Sequence, residues 1–128
     1  MTAQLNHTLV AAHDKKESAT FLAEILGLSA PEPFGPFLCV TAGNGVSLDF
    51  MDVDDPAIHA QHYAFLVSEE EFDEIFERIN GRGLSYWADP HQQRPSEINH
   101  HDGGRGVYWS DPGGHLLEII TCPYGSGG

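Results

Sequence analysis

Positive charge is scarce in this chain. Six Lys and Arg stand against 19 Asp and Glu, a net charge of -13. The six are Lys15, Lys16, Arg78, Arg82, Arg94 and Arg105, and they form no cluster. Nucleic-acid binding draws on clustered cations that neutralise phosphates, so that class is disfavoured. The same field repels anionic membranes and highly charged anionic substrates, and leaves a neutral or aromatic small molecule as the easier guest. No apolar run approaches the roughly 20 residues that cross a bilayer. The start, Met1 to His7, lacks the basic and apolar regions of a signal peptide, and a cytoplasmic location is expected. Cysteine is scarce too. Cys39 and Cys122 match no metal or redox spacing and are expected as reduced thiols.

The 128 residues suffice for one compact domain with a real core, expected over 1–124. Gly125-Ser126-Gly127-Gly128 reads as a flexible tail.

What the chain does have is a pattern written twice, about 1–56 and about 57–124. Leu5 to Val10 alternates as a strand does, and so does His62 to Val67. A helix follows each. Asp14 caps the first, with Glu17 in capping-box position, and Ser68 caps the second, with Glu71 likewise. Phe21, Leu22, Ile25 and Leu26 form one apolar stripe; Phe72, Ile75, Phe76 and Ile79 form the other. Gly27 ends the first helix, and Gly81 and Gly83 the second. The run Glu69-Glu70-Glu71 reads as carboxylates at the positive end of a helix.

The copies keep register: His7 to Asp14 is seven residues, and so is His62 to Glu69. Extended stretches follow at Pro31 to Phe34, Phe37 to Thr41 and Val46 to Met51. In the second copy they fall at Leu84 to Trp87, Val107 to Ser110 and His115 to Thr121, with a long loop over Asp89 to Gly106. The strands are expected to curl into one sheet with the helices outside. Tyr63, Phe65, Val67, Val107 and Trp109 would then pack under the helices.

Alternation puts different residues on the opposite, cavity-lining face. His7 falls with Leu5 and Leu9, His62 with Ala64 and Leu66, Asp49 with Ser47 and Met51, and Glu118 with Leu116 and Ile120. A carboxylate between leucine and isoleucine needs a partner, because burying it alone is costly. A divalent cation shared with the two histidines is one. His7, His62 and Glu118 on three strands can cover one face of an octahedron, as in non-haem Fe(II) oxygenases. His115 falls on the other face and reads as structural.

These stretches, with Gly106-Val107-Tyr108-Trp109-Ser110-Asp111-Pro112-Gly113-Gly114-His115-Leu116-Leu117-Glu118, resemble the vicinal oxygen chelate superfamily. It includes glyoxalase I, fosfomycin resistance enzymes, bleomycin-binding proteins and extradiol dioxygenases. Asp-Pro-x-Gly-His-x-x-Glu is the most specific part. The resemblance implies an α+β fold: two βαβββ modules forming an open, curved mixed β-sheet barrel with helices outside. It also implies a homodimer and a metal held by His7, His62 and Glu118. In the family a substrate-contacting tyrosine stands where Tyr108 does, and a fourth ligand where the shorter Asp49 does. Within the superfamily the chain is most similar to small single-domain members of aromatic polyketide tailoring, the chartreusin-type oxidative rearrangement enzymes. In that group Fe(II) supports oxygen-dependent C–C cleavage and lactone formation.

Three readings follow from the resemblance. The first is an Fe(II) oxygenase acting with dioxygen, and with reduced flavin as a co-reductant, on a phenolic or polycyclic aromatic molecule. Tyr108 and Asp49 are its catalytic candidates. Leu9, Met51 and Leu66 are its apolar contacts, and Arg94, His100 and Arg105 come from a loop, also bearing His91 and His101, expected over the cavity mouth. The second is an isomerase or thiol transferase using Mn(II), Ni(II) or Zn(II), with Asp49 as a fourth ligand. The third is a drug- or metabolite-binding protein without chemistry.

Overall fold

The computed structural model describes residues 2–54 and 58–127. They form two compact units, one up to His59 and one from Ala60. The expected module boundary at 56/57 and the last tail residue, Gly128, lie outside the described residues.

The first unit runs β1 (His7–Ala12), α1 (Lys15–Leu26), β2 (Glu32–Phe34), β3 (Phe37–Thr41) and β4 (Ser47–Asp52). The second runs β5 (His62–Leu66), α2 (Glu69–Gly81), β6 (Gly106–Ser110) and β7 (Leu116–Ile120), with one 3-10 turn over His101–Gly103. The helices start where capping chemistry puts them. Asp14 accepts from the N–H groups of Lys16 and Glu17 at 3.0 and 3.3 Å. Ser68 and Glu71 form the complete capping box. Gly27, at φ 72°, closes α1 in the left-handed conformation that a residue without Cβ adopts at no steric cost.

The buried face of α1 is built from Ser18, Ala19, Leu22, Ala23 and Ile25. It is made more of small residues than the expected stripe, and Phe21 and Leu26 sit at its margins. On α2 Phe72, Ile75 and Ile79 are buried and Phe76 half-buried. The inner rows of the second unit are Val107, Trp109, Leu117 and Ile119, all buried. Each fully buried side chain of this size contributes about 1.5–3 kcal/mol. Tyr63, Phe65 and Val67 are half-buried, while His62, Ala64 and Leu66, one residue out of phase, are exposed.

Two expectations are corrected. The strands form two hydrogen-bonded sheets, β1-β4-β3-β2 and β5-β7-β6, rather than one. In each unit the first strand pairs in parallel with the last, which leaves β1 and β2 at the edges of one open sheet and β5 and β6 at the edges of the other. Leu84 to Trp87 is not a strand among the described residues. Trp87 makes a single bridge to Tyr108 and another to Pro95. The chain then folds back on the loop, with Ala88 N–H donating to Arg94 O and Ser96 N–H to Tyr86 O. Local loop pairing thus replaces a longer ladder along β6.

Candidate metal centre

In the β5–β7 ladder His62 lies opposite Leu116 and Ala64 opposite Glu118. His62 and Glu118 are therefore diagonal neighbours on one face, and Nε2 of His62 lies 2.8 Å from Oε1 of Glu118. The Glu118 side chain is fully buried; that of His62 is 44% exposed.

The turn before β7 sets this meeting. Asp111 N–H donates to His115 O at 2.9 Å and Gly114 N–H to Asp111 O at 3.0 Å. The Asp111 carboxylate accepts from His115 N–H at 2.8 Å. Burial pushes the Asp111 carboxyl up, opposed by the backbone N–H groups of His115, Gly113 and Gly114 and by the His115 ring. Gly114, at φ 95°, makes the turn sterically cheap. His115 is itself buried, edge-on to Tyr63 at 5.7 Å between ring centroids. Its Nδ1 accepts from Gln61 N–H at 3.0 Å, while Leu116 N–H donates to Gln61 O at 2.9 Å. The Asp-Pro-x-Gly-His motif thus ties the start of β7 to the residue before His62, and fixes the register that pairs His62 with Glu118.

Tyr108 lies opposite Glu118 in the β6–β7 ladder, buried, with its ring 5.7 Å from the His62 ring. Its hydroxyl is 2.9 Å from that of Tyr124, and the Tyr124 hydroxyl donates to Oε2 of Glu118. Burial first, then Tyr124 and Glu118, push the Tyr108 phenol far above its ordinary range. Burial and then Glu118 raise Tyr124 as well. Tyr124 was not among the sequence candidates, because it directly precedes the glycine-rich end.

The first unit repeats the diagonal. His7 lies opposite Ser47, two residues before Asp49, as His62 lies opposite Leu116, two before Glu118. One methylene fewer changes the outcome. Asp49, buried, accepts from Ser47 Oγ at 2.5 Å. Burial, then a hydrogen bond with Asp49, push the thiol of its cross-strand neighbour Cys39 up. His7 Nδ1 pairs with Asn6 Oδ1 at 2.8 Å.

Two cis ligands, each about 2.1 Å from one ion, stand about 3 Å apart. The 2.8 Å separation of His62 Nε2 and Glu118 Oε1 fits that spacing. Among the described residues no three His, Cys, Asp or Glu form one metal-holding group. The second unit presents two donors; His7 belongs to the first.

Of the expected substrate contacts, Leu9 and Leu66 are exposed and Met51 is half-buried. His100 is exposed just before the 3-10 turn, and Arg94 pairs with Glu97 at 2.9 Å. Arg105 is engaged with residues of α2. Its guanidinium reaches Glu69 at 2.7 Å and Asp73 at 2.9 Å, and sits 4.3 Å above the Phe72 ring. Position 105 shares the parity of the buried Val107 and Trp109, one residue out of phase with Tyr108, which lies opposite Glu118.

No described helix is long and apolar enough to cross a membrane. Glutathione transferase FosA of Serratia marcescens is 32% identical over 124 residues, 93% of this chain and 81% of that protein. Among solved structures, Oxidase ChaP-H2 is 66% identical with a TM-score of 0.95, covering 100% of both chains. Oxidase ChaP-H1 is 64% identical with a TM-score of 0.94, covering 97% of this chain and 99% of its own. A family model described as Glyoxalase/Bleomycin resistance protein/Dioxygenase superfamily matches residues 4–119, and with that span matched the chain belongs to this superfamily.

Proposed function

We propose that this chain is an Fe(II)-dependent oxygenase of a phenolic or polycyclic aromatic molecule. Its reaction would be C–C cleavage or oxidative rearrangement in aromatic polyketide biosynthesis. The observation that carries the reading is full-length similarity, at 64 and 66% identity, to proteins named oxidases. The buried Glu118 beside His62 supports a metal, with His7 as the third ligand. When bound, the metal supplies positive charge for two vicinal substrate oxygens and redox capacity toward dioxygen. Leu9, Met51 and Leu66 would bind a flat apolar guest, with Arg94 and His100 near its edge. Tyr108, whose ring lies beside that of His62, would orient the substrate. Asp49 would take up a phenolic proton. Reduced flavin is the proposed co-reductant, and a homodimer the proposed assembly.

Oxygen uptake tests this. Metal-free protein reloaded separately with Fe(II), Mn(II), Ni(II) or Zn(II) is offered catechols and polycyclic phenolic lactones, with and without reduced flavin. Uptake should require Fe(II) and vanish in Glu118→Ala. No uptake under any condition would sink the oxygenase.

A second reading, a metal-dependent thiol transferase, is favoured by the 32% identity to FosA. It predicts anaerobic turnover with a thiol and weakened Mn(II), Ni(II) or Zn(II) binding in Asp49→Ala. Against it, the single cation of the loop over 95–105, Arg105, is held by Glu69 and Asp73.

A further inference from the structure

Glu118 has two oxygens with two different fates. Oε1 lies beside His62 Nε2, and Oε2 accepts from Tyr124. An ionised carboxylate only accepts hydrogen bonds, and a phenol has one proton to give. Since Tyr124 gives its proton to Glu118, the bond between the tyrosines is donated by Tyr108. The hydroxyls therefore run one way, from Tyr108 to Tyr124 to Glu118.

The segment carrying Tyr124 is fastened for this contact. Asp102 Oδ2 accepts from Gly125 N–H at 3.0 Å, and its Oδ1 from Gly127 N–H at 3.2 Å. Asp102 itself takes φ 56°, a left-handed conformation that Asp tolerates better than most residues. A Cβ on Gly127 would stand 2.3 Å from Asp102 Cα, so the two backbones pack with no room for a side chain. The His101 ring stands edge-on to Tyr124 at 6.3 Å. Tyr124 is 55% exposed as a residue, yet its hydroxyl turns inward to a fully buried carboxylate.

We propose that Tyr124 is a positioning residue of the metal centre, occupying Oε2 of Glu118 so that Oε1 alone is presented beside His62. The proposal rests on the metal reading above. A carboxylate released at Oε2 is no longer held in orientation, so Oε1 would be presented less firmly beside His62 and the ligand field would change. Outer hydrogen bonds to metal ligands are worth about 10–100-fold in affinity.

The test is Co(II) titration of the metal-free, full-length protein, followed by visible absorption, with a chelator competing to give the affinity. Wild type, Tyr124→Phe, a chain ending after Cys122, and His62→Ala are compared. Tyr124→Phe should bind Co(II) about 10–100-fold more weakly and shift the visible bands, with the melting temperature of the metal-free protein unchanged. The shortened chain should do the same, giving an independent reading should the point variant misfold. Wild-type affinity and bands in both variants would overturn the role of Tyr124. Failure of the metal reading looks different: either wild type binds no Co(II), or His62→Ala binds it undiminished.

Discussion

Asp49 and Glu118 differ by one methylene, and their surroundings diverge accordingly. Glu118 reaches a histidine across the ladder, while Asp49 is drawn to Ser47 and Cys39 on neighbouring positions of its own sheet. The Cys39 thiol reports on this arrangement. Burial and then Asp49 raise it, so its protonated form is favoured in the folded chain. The associated stability is present below the ordinary thiol range and is lost as pH rises through the raised value. Alkylation of Cys39 by iodoacetamide should therefore develop at higher pH than for a free thiol. Asp49→Asn should move that profile to lower pH, because it removes the charge while keeping the volume. An unmoved profile would show that burial alone sets the thiol.

At the scale of elements, α2 is held at its start by a reciprocal pair. Ser68→Ala should destabilise the protein by about 1 kcal/mol in urea unfolding. The hydrogen bonds of Glu71 to the Ser68 backbone and side chain hold its carboxyl below the usual range. That contribution is present above the ordinary glutamate range and lost as pH falls through the lowered value, so the penalty of Glu71→Ala should shrink in acid. The long loop depends on a different device. Asn99 is buried, and its Nδ2 donates to Ala88 O at 2.9 Å. Its backbone exchanges hydrogen bonds with Gly106 at 2.9 and 3.0 Å. A Cβ at Gly106 would stand 2.7 Å from Asn99 Oδ1. Gly106→Ala should therefore cost about 1–3 kcal/mol, read as a lowered urea midpoint with unchanged slope.

For the whole molecule, a ligand that binds only the folded state stabilises by mass action, about 2.7 kcal/mol at a hundredfold excess over Kd. For a chain of this length that corresponds to a rise of roughly 10 °C in Tm. Co(II) or Zn(II) should produce such a rise in wild type. Glu118→Gln, which keeps the side-chain volume and removes the charge, should fold and show no rise. An equal rise in that variant would place the metal elsewhere.

The repeat, the two capped helices and the alternating faces follow from local rules, and so were legible in the sequence. Hydrophobic period selects the element, and Asp14, Ser68 and Gly27 bound it through bonds made within a few residues. Period-two parity also assigns His62 and Glu118 to one face, and the same parity, applied to Arg105, places it on the other. The Asp111 turn was visible as a motif, though not its task of tying β7 to Gln61. What needed the tertiary structure were contacts between segments distant in the chain. The fastening of Gly125 and Gly127 by Asp102 is one, and the approach of Tyr124 to Glu118 that it permits is another. Leu84 to Trp87 carries strand-like residues, yet only Trp87 pairs with β6, at Tyr108, while Leu84 N–H donates to Ile79 O and Tyr86 O accepts from Ser96 in the loop. Sequence by itself determined which residues could act, because side-chain chemistry and backbone period are local; only the folded chain decided which of them meet, because a hydrogen bond across 23 or 56 residues depends on the path of everything between.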